Sequence, residues 1–360
     1  MLRNLSLFGA ALVAMGILLE AVARLLWAVP PVWHEPQTRH LRSPLLGWVL
    51  PPGSTSYSID APVRVNAHGL RDDEFPLAKP AGERRILCLG DSFTFALGVA
   101  FEDLYVQQLE RRLADQRPGE RFQAINAGIG GYNTRQELIY LLARGFDFAP
   151  DLITVGFYWN DLLENEAPLP DLASTPWVEP GATLHGEGRE HTLPGWLRDP
   201  LRSSVLLYQI VLRSKTLLYG LEPPRGPLAQ VQRALLEGDR ETLEPYWRST
   251  GQRLLEIAAA ARDRGVPVVL LVFPMEEHVK RDYPHRIWGE RLREIWAPTG
   301  MPFVDLEADY QEALRAGRNP FLPYDLHPNA DGMRIAAERL LETITRHELL
   351  GPARPLADAR

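Results

Sequence analysis

From residue 86 onward, short aliphatic runs alternate with stretches of helical spacing, and this alternation restricts the fold more than any other feature of the chain. The runs lie at 86–89, 122–125, 151–157, 266–273 and 302–304; helical spacing occupies 102–113, 136–143, 254–264 and 331–346. Strand, helix, strand repeated in this manner implies a parallel sheet covered on both faces, because only such a sheet buries strands that are apolar on both sides. Ligands bind at the carboxyl ends of its strands, so polar clusters just after the apolar runs are the places to look for chemistry.

Four such clusters follow: Gly90-Asp91-Ser92, the glycine-rich stretch from Asn126 to Asn133, Trp159-Asn160-Asp161, and Tyr324-Asp325-Leu326-His327-Pro328-Asn329. A parallel sheet brings them to one edge. Alone, Asp91 or Ser92 is read as a helix cap, Asn160-Asp161 as a turn, and the last cluster as the lead-in to the closing helix. Together they supply what acyl transfer through serine needs: a hydroxyl at Ser92, a base at His327, a carboxylate at Asp325 to hold that base, and donors for an oxyanion. Gly128, Gly130 and Gly131 also suggest a dinucleotide fingerprint, but Asn133 stands where its last glycine would fall. Gly90-Asp91-Ser92-Phe93-Thr94 lacks the second glycine of an α/β-hydrolase elbow. His278 and His285 are too far apart to share one helical turn and read as surface residues, and His68 reads as an exposed turn histidine.

Composition narrows the partners. The 360 residues are 45% hydrophobic, enough for a large core, and the net charge of −7 argues against a nucleic-acid partner. The single cysteine, Cys88, lies inside the first apolar run, so it reads as a small buried side chain and leaves no internal disulfide and no cysteine metal site.

Residues 1–29 carry an apolar segment interrupted at Glu20 and Arg24, spaced i,i+4 where they can pair near one membrane face. It reads as a transmembrane anchor, or as a signal segment with Ala21-Val22-Ala23 as a small-residue cleavage site, and either reading places the body outside the cytoplasm, in the periplasm or at the cell surface. Residues 30–82 read as a linker with short strands near 56–59 and 63–65, 83–350 as the catalytic domain, and 351–360 as a tail. An insertion at 162–227 breaks the alternation and holds a helix-like apolar run at 201–218; its length marks it as a lid, a partner surface or a membrane-proximal flap.

The four clusters resemble the sequence blocks of the SGNH/GDSL hydrolase family, over residues 86–346 apart from the insertion. Asn66, Gly69 and Arg71 further resemble an Asn-x-x-Gly-x-Arg element of membrane-anchored bacterial members. The resemblance implies a flavodoxin-like three-layer α/β/α sandwich with a mainly parallel five-stranded sheet. It implies a catalytic triad of Ser92, Asp325 and His327, an oxyanion hole of Ser92, Gly131 and Asn160, and no metal or organic cofactor. Two positions depart from the family pattern. Tyr158 replaces the usual glycine of the third block, and the acid lies two residues before His327, the commoner three-residue spacing falling on Tyr324. The expected activity is that of a serine esterase acting on an ester-bearing small molecule, glycan or lipid, with a polysaccharide O-acyltransferase and a non-catalytic envelope binding protein as the alternatives.

Overall fold

The computed structural model describes residues 2–30, 33–185, 203–221, 226–281, 287–323 and 325–352. The N-terminal helix α1 (Leu2–Leu26) is followed by two hairpins, β1 (His40–Ser43) with β2 (Gly47–Val49) and β3 (Thr55–Ser58) with β4 (Ala61–Arg64). The alternating region then builds β5 (Glu83–Gly90), α2 (Ser92–Phe95), α3 (Tyr105–Gln116), β6 (Arg121–Gly128), α4 (Thr134–Ala143) and β7 (Leu152–Phe157). After β8 (Leu184–His185) come the helices Val205–Leu221, Pro227–Glu237 and Arg240–Arg262, then β9 (Val268–Val272), the helix Ile287–Trp296 and β10 (Phe303–Asp305). The helices Glu307–Arg315 and Ala330–Arg346 close the order.

The five strands of the main sheet are ordered β6-β5-β7-β9-β10, and every pairing is parallel. In sequence order this is 2-1-3-4-5, the flavodoxin-like arrangement, so the expected fold is the observed one. All six residues of β7 and all five of β9 are buried, as central strands covered on both faces require. α3 packs with Ala330–Arg346 in one helical layer, while α4 and Ile287–Trp296 pack on Arg240–Arg262 in the other. The order reverses between β5 and β7, and the crevice at the carboxyl ends of these two strands is where such a sheet takes its ligand.

The segment before the sheet joins the core rather than passing over it. Leu45, Leu46, Val49 and Leu50 belong to the main apolar cluster. Asn66 accepts from the N–H groups of His68 and Leu70 through its side chain, shaping a turn that sends Arg71 and Asp72 inward. Asp72 accepts from the N–H of Asn126 on β6 and from Gln107 on α3, both at 2.9 Å. The buried Arg71 guanidinium donates to the carbonyls of Phe95 (2.8 Å), Ala96 (2.7 Å) and Val99 (2.6 Å), where α2 ends.

The insertion leaves the sheet after β7 and touches two distant parts of the chain. β8 pairs with β1, and the helix Val205–Leu221 packs on α1; residues 186–202 and 222–225 lie outside the described residues, as do 353–360 of the tail.

Candidate active site

Three glycines lie side by side at the carboxyl edge of the sheet. Gly90 of β5 is in register with Gly128 of β6 and with Gly156 of β7. A Cβ on Gly90 or Gly156 would stand 2.1 or 2.3 Å from Thr94 Oγ1, and one on Gly128 would stand 2.3 Å from the backbone nitrogen of Phe95. The missing side chains therefore let α2 sit directly on the strand ends. Thr94 is pinned there by hydrogen-bond contacts to Leu89 O (3.3 Å) and the Tyr105 hydroxyl (3.1 Å).

Asp91 caps α2 by accepting the Phe93 N–H at 2.8 Å. The cap is thus Asp91 and not Ser92, which is the first residue of the helix; the serine hydroxyl stands 3.5 Å from Asp91 Oδ2 and has a nearer partner. That partner is His327, whose Nε2 lies 2.8 Å from Ser92 Oγ. His327 Nδ1 lies 2.5 Å from Asp325 Oδ1, and the same oxygen accepts the His327 backbone N–H at 2.9 Å. The two-residue spacing of acid and base is what lets one carboxylate oxygen hold both the ring and the backbone of the histidine. Tyr324, where the longer spacing would place the acid, lies outside the described residues.

Asn160 sits in a short 3-10 turn, Trp159–Leu162, directly after β7. Its Nδ2 donates to Asp91 Oδ2 at 3.0 Å, which sets the amide beside the Gly-Asp-Ser turn with its second N–H still to use. Gly131 lies in the loop after β6, at a φ of +79° that favours glycine. The N–H of Ile129 donates to Gly90 O at 3.1 Å, tying this loop to the Gly-Asp-Ser turn. Trp48 of β2 covers the loop: its indole N–H donates to Gly130 O at 3.0 Å, and a Cβ on Gly131 would stand 3.2 Å from its ring. All five expected site residues therefore lie at one sheet edge, with Ser92, His327 and Asp325 in direct contact.

Burial sets the charges around them. Asp91 is fully buried and its pKa is raised by that burial, against the hydrogen bonds from Phe93 and Asn160. Glu137 and Asp161 are raised for the same first reason and further by the neighbouring carboxyl groups. Asp325 is different: burial pushes its pKa up, but the hydrogen bonds and charge of His327 outweigh it and leave the carboxyl below its ordinary value. The acid beside the histidine is thus held as an anion, as an orienting carboxylate must be.

Several contributors escape a reading of the sequence alone. Phe93 stacks on Tyr158 with ring centroids 3.9 Å apart, and its ring also lies 4.7 Å from that of His327. Tyr158, the departure from the family glycine, thus supports the ring beside the base. Gly156 carried a local signal, since a glycine inside an apolar strand marks a close approach; Trp48 and Phe93 carried none. Two expectations are corrected. His68 is half-buried, 2.8 Å from Phe75 O through Nε2 and packed on the Phe75 ring, because its turn folds back onto the core. His278 is buried 3.8 Å from Glu307, not on the surface, and His285 lies outside the described residues.

The family model described as GDSL-like Lipase/Acylhydrolase family matches residues 88–335. Esterase TesA of Pseudomonas aeruginosa is 33% identical over 92 residues, which cover 26% of this chain and 45% of that esterase, so the match spans under half of the relative's length. A crystal structure of TesA aligns with a TM-score of 0.43 at 16% identity, over 73% of this chain and 99% of the other. The acetylxylan esterase Axe2 of Geobacillus stearothermophilus aligns with a TM-score of 0.43 at 17% identity, over 75% and 94% of the two chains. With the family model covering more than half of the residues, this chain belongs to the GDSL-like lipase/acylhydrolase family.

Proposed function

We propose that this chain is a serine ester hydrolase that works outside the cytoplasm, held to a membrane by α1, on O-acyl groups of carbohydrates or on lipid esters. The observation that carries the reading is the unbroken relay from Asp325 through His327 to Ser92, at 2.5 and 2.8 Å. Ser92 Oγ attacks the acyl carbonyl as its proton passes to His327 Nε2, while Asp325 holds Nδ1–H and stabilises the imidazolium. The oxyanion that forms is met by the N–H of Ser92, the N–H of Gly131 and the free N–H of Asn160, each such donor contributing about 10²- to 10³-fold in rate. Collapse expels the alcohol, which takes the proton from His327, and leaves an acyl ester on Ser92. Water then enters by the same route in reverse and releases the acid.

The location rests on α1: Ser6–Leu26 is long and apolar enough to cross a membrane. Arg3 precedes it, on the side that stays cytoplasmic. The choice of a carbohydrate or lipid ester follows from that location together with the family.

The test is hydrolysis of a chain-length series of activated esters by the full chain in detergent micelles, beside Ser92→Ala. The wild-type chain should turn over and the variant should fall to background; equal rates would leave a non-catalytic binding protein instead. Repeating the assay with acetylated and unacetylated oligosaccharides measures where the acyl group goes. Delivery to sugar hydroxyls in place of water would make the protein an O-acyltransferase using the same serine.

A further inference from the structure

Glu20 lies within α1, six residues from its end, yet its carboxylate is fully engaged by a segment far along the chain. Oε2 accepts the Ser204 hydroxyl at 2.7 Å and the Leu206 N–H at 3.0 Å. Oε1 accepts the Val205 N–H at 3.0 Å and Arg24 Nε at 2.8 Å. Arg24 donates in turn to Ser203 O at 3.0 Å. A carboxylate from one helix thus caps the N-terminus of another, where free N–H groups and the helix dipole favour negative charge. Ala23, the last residue of the small-residue Ala-Val-Ala sequence, is 1% exposed, and Val205 is fully buried.

The two helices run in the same direction, since Arg213 lies over the Trp27 ring at 5.2 Å just as Val205 lies beside Glu20. On the helix Val205–Leu221 the buried residues Val205 and Gln209 face one way. Leu207, Ile210 and Val211 face the other, at 38%, 52% and 54% exposure. On α1, Val22, Leu25 and Leu26 are open as well. An apolar stripe joined to a helix of membrane-crossing length is suited to the boundary between headgroups and acyl chains.

We propose that α1 is retained and that the helix Val205–Leu221, docked beside it through Glu20 and running the same way, sets Leu207, Ile210 and Val211 into the outer boundary of a phospholipid bilayer. The inference rests on the reading of α1 as an anchor and adds to it a second contact, from the insertion. It gives the insertion a task, to fix the angle of the catalytic domain to the membrane rather than leave it swinging on a tether.

The full chain is reconstituted in phosphatidylcholine–phosphatidylglycerol vesicles containing nitroxide-labelled lipid, with a polarity-sensitive fluorophore on single introduced cysteines. Cys88 is buried and leaves the label to the introduced site. Ile210→Cys and Val211→Cys should be quenched at least half as strongly as Val13→Cys in α1, and Glu241→Cys in the distant helix should not be. Quenching at Val13→Cys alone would overturn the second contact and leave the anchor standing, whereas no quenching at any position would overturn both. A label at 210 shielded in micelles as a function of protein concentration would assign the stripe to a second copy of the chain and also overturn the proposal. Glu20→Leu should reduce quenching at 210 about twofold or more while that at 13 persists; unchanged quenching would remove Glu20 as the lock. Mass spectrometry of the membrane-extracted chain should show residues 1–23 still attached, and a chain beginning at Arg24 would refute retention.

Discussion

Phe93 lies flat on Tyr158, ring centroids 3.9 Å apart, and its ring also meets His327 at 4.7 Å. His327 is therefore held by an aromatic pair as well as by Asp325. Phe93→Ala should lower kcat by about ten- to a hundredfold with KM within roughly twofold, the scale expected when a catalytic group loses its position. Tyr158→Phe, which keeps the stack, should lose less than Tyr158→Gly. Steady-state kinetics on one ester decides the matter, and equal losses for the two Tyr158 variants would count against the stack.

The glycine row makes a prediction that distinguishes side chain from backbone. Gly156→Ala places its Cβ 2.3 Å from Thr94 Oγ1, so α2 must lift and activity should fall by at least about a hundredfold. Removing that oxygen with Thr94→Ala should restore part of the lost rate in the double variant. Gly128→Ala meets the backbone at Thr94 and Phe95 instead, so the same second change should not rescue it.

Arg71 supplies hydrogen bonds to three carbonyls at the end of α2 from a fully buried position. Arg71→Met strands those acceptors and should cost about 3 kcal/mol or more, at about 1–3 kcal/mol for each buried polar group left unpaired. Urea unfolding reads the loss as a lower midpoint. Arg71→Lys should recover only a fraction, since one ammonium cannot match the fork of a guanidinium.

Asp72 links stability to pH. Burial raises its pKa from the ordinary 3.8 to about 8, so the folded chain holds a proton that the unfolded chain has released. Its contribution is complete below about pH 4 and is lost as the pH rises through about 8. Asp72→Asn, which cannot titrate, should flatten the dependence of the unfolding midpoint on pH between 4 and 8. Asp325 has the opposite sign: its lowered pKa contributes stability at neutral pH that disappears as the solution is acidified below the ordinary carboxylate range.

The five strands are readable in the sequence because each contains a short run rich in apolar residues, and the same runs locate Ser92, Asn160 and the glycine loop by where they stop. The lower end of β5 is harder to read. Glu83, Arg84 and Arg85 look like surface residues, yet Arg85 is fully buried and donates to the carbonyls of Pro76, Leu77 and Phe148. His278 is hidden for a similar reason, its burial being decided by Glu307 on a later helix. Trp48 and Phe93 act through residues far away in the chain, and no local pattern marks them. What sequence conveys here is which groups stand at an edge; what leans on them is set by packing between segments.

The hairpin that carries Trp48 has a consequence in time. It is synthesised before the glycine loop it covers, which follows β6; its pairing strand β8 comes after β7, and His327 lies 235 residues beyond the Ser92 hydroxyl it meets. Chains emerge from the ribosome N-terminus first at about 5–20 residues per second, and contacts between distant segments form late. Ser92 is therefore made tens of seconds before His327 reaches it, so during synthesis the nascent chain carries a hydroxyl without its imidazole partner. The pair forms only once residue 327 has been made.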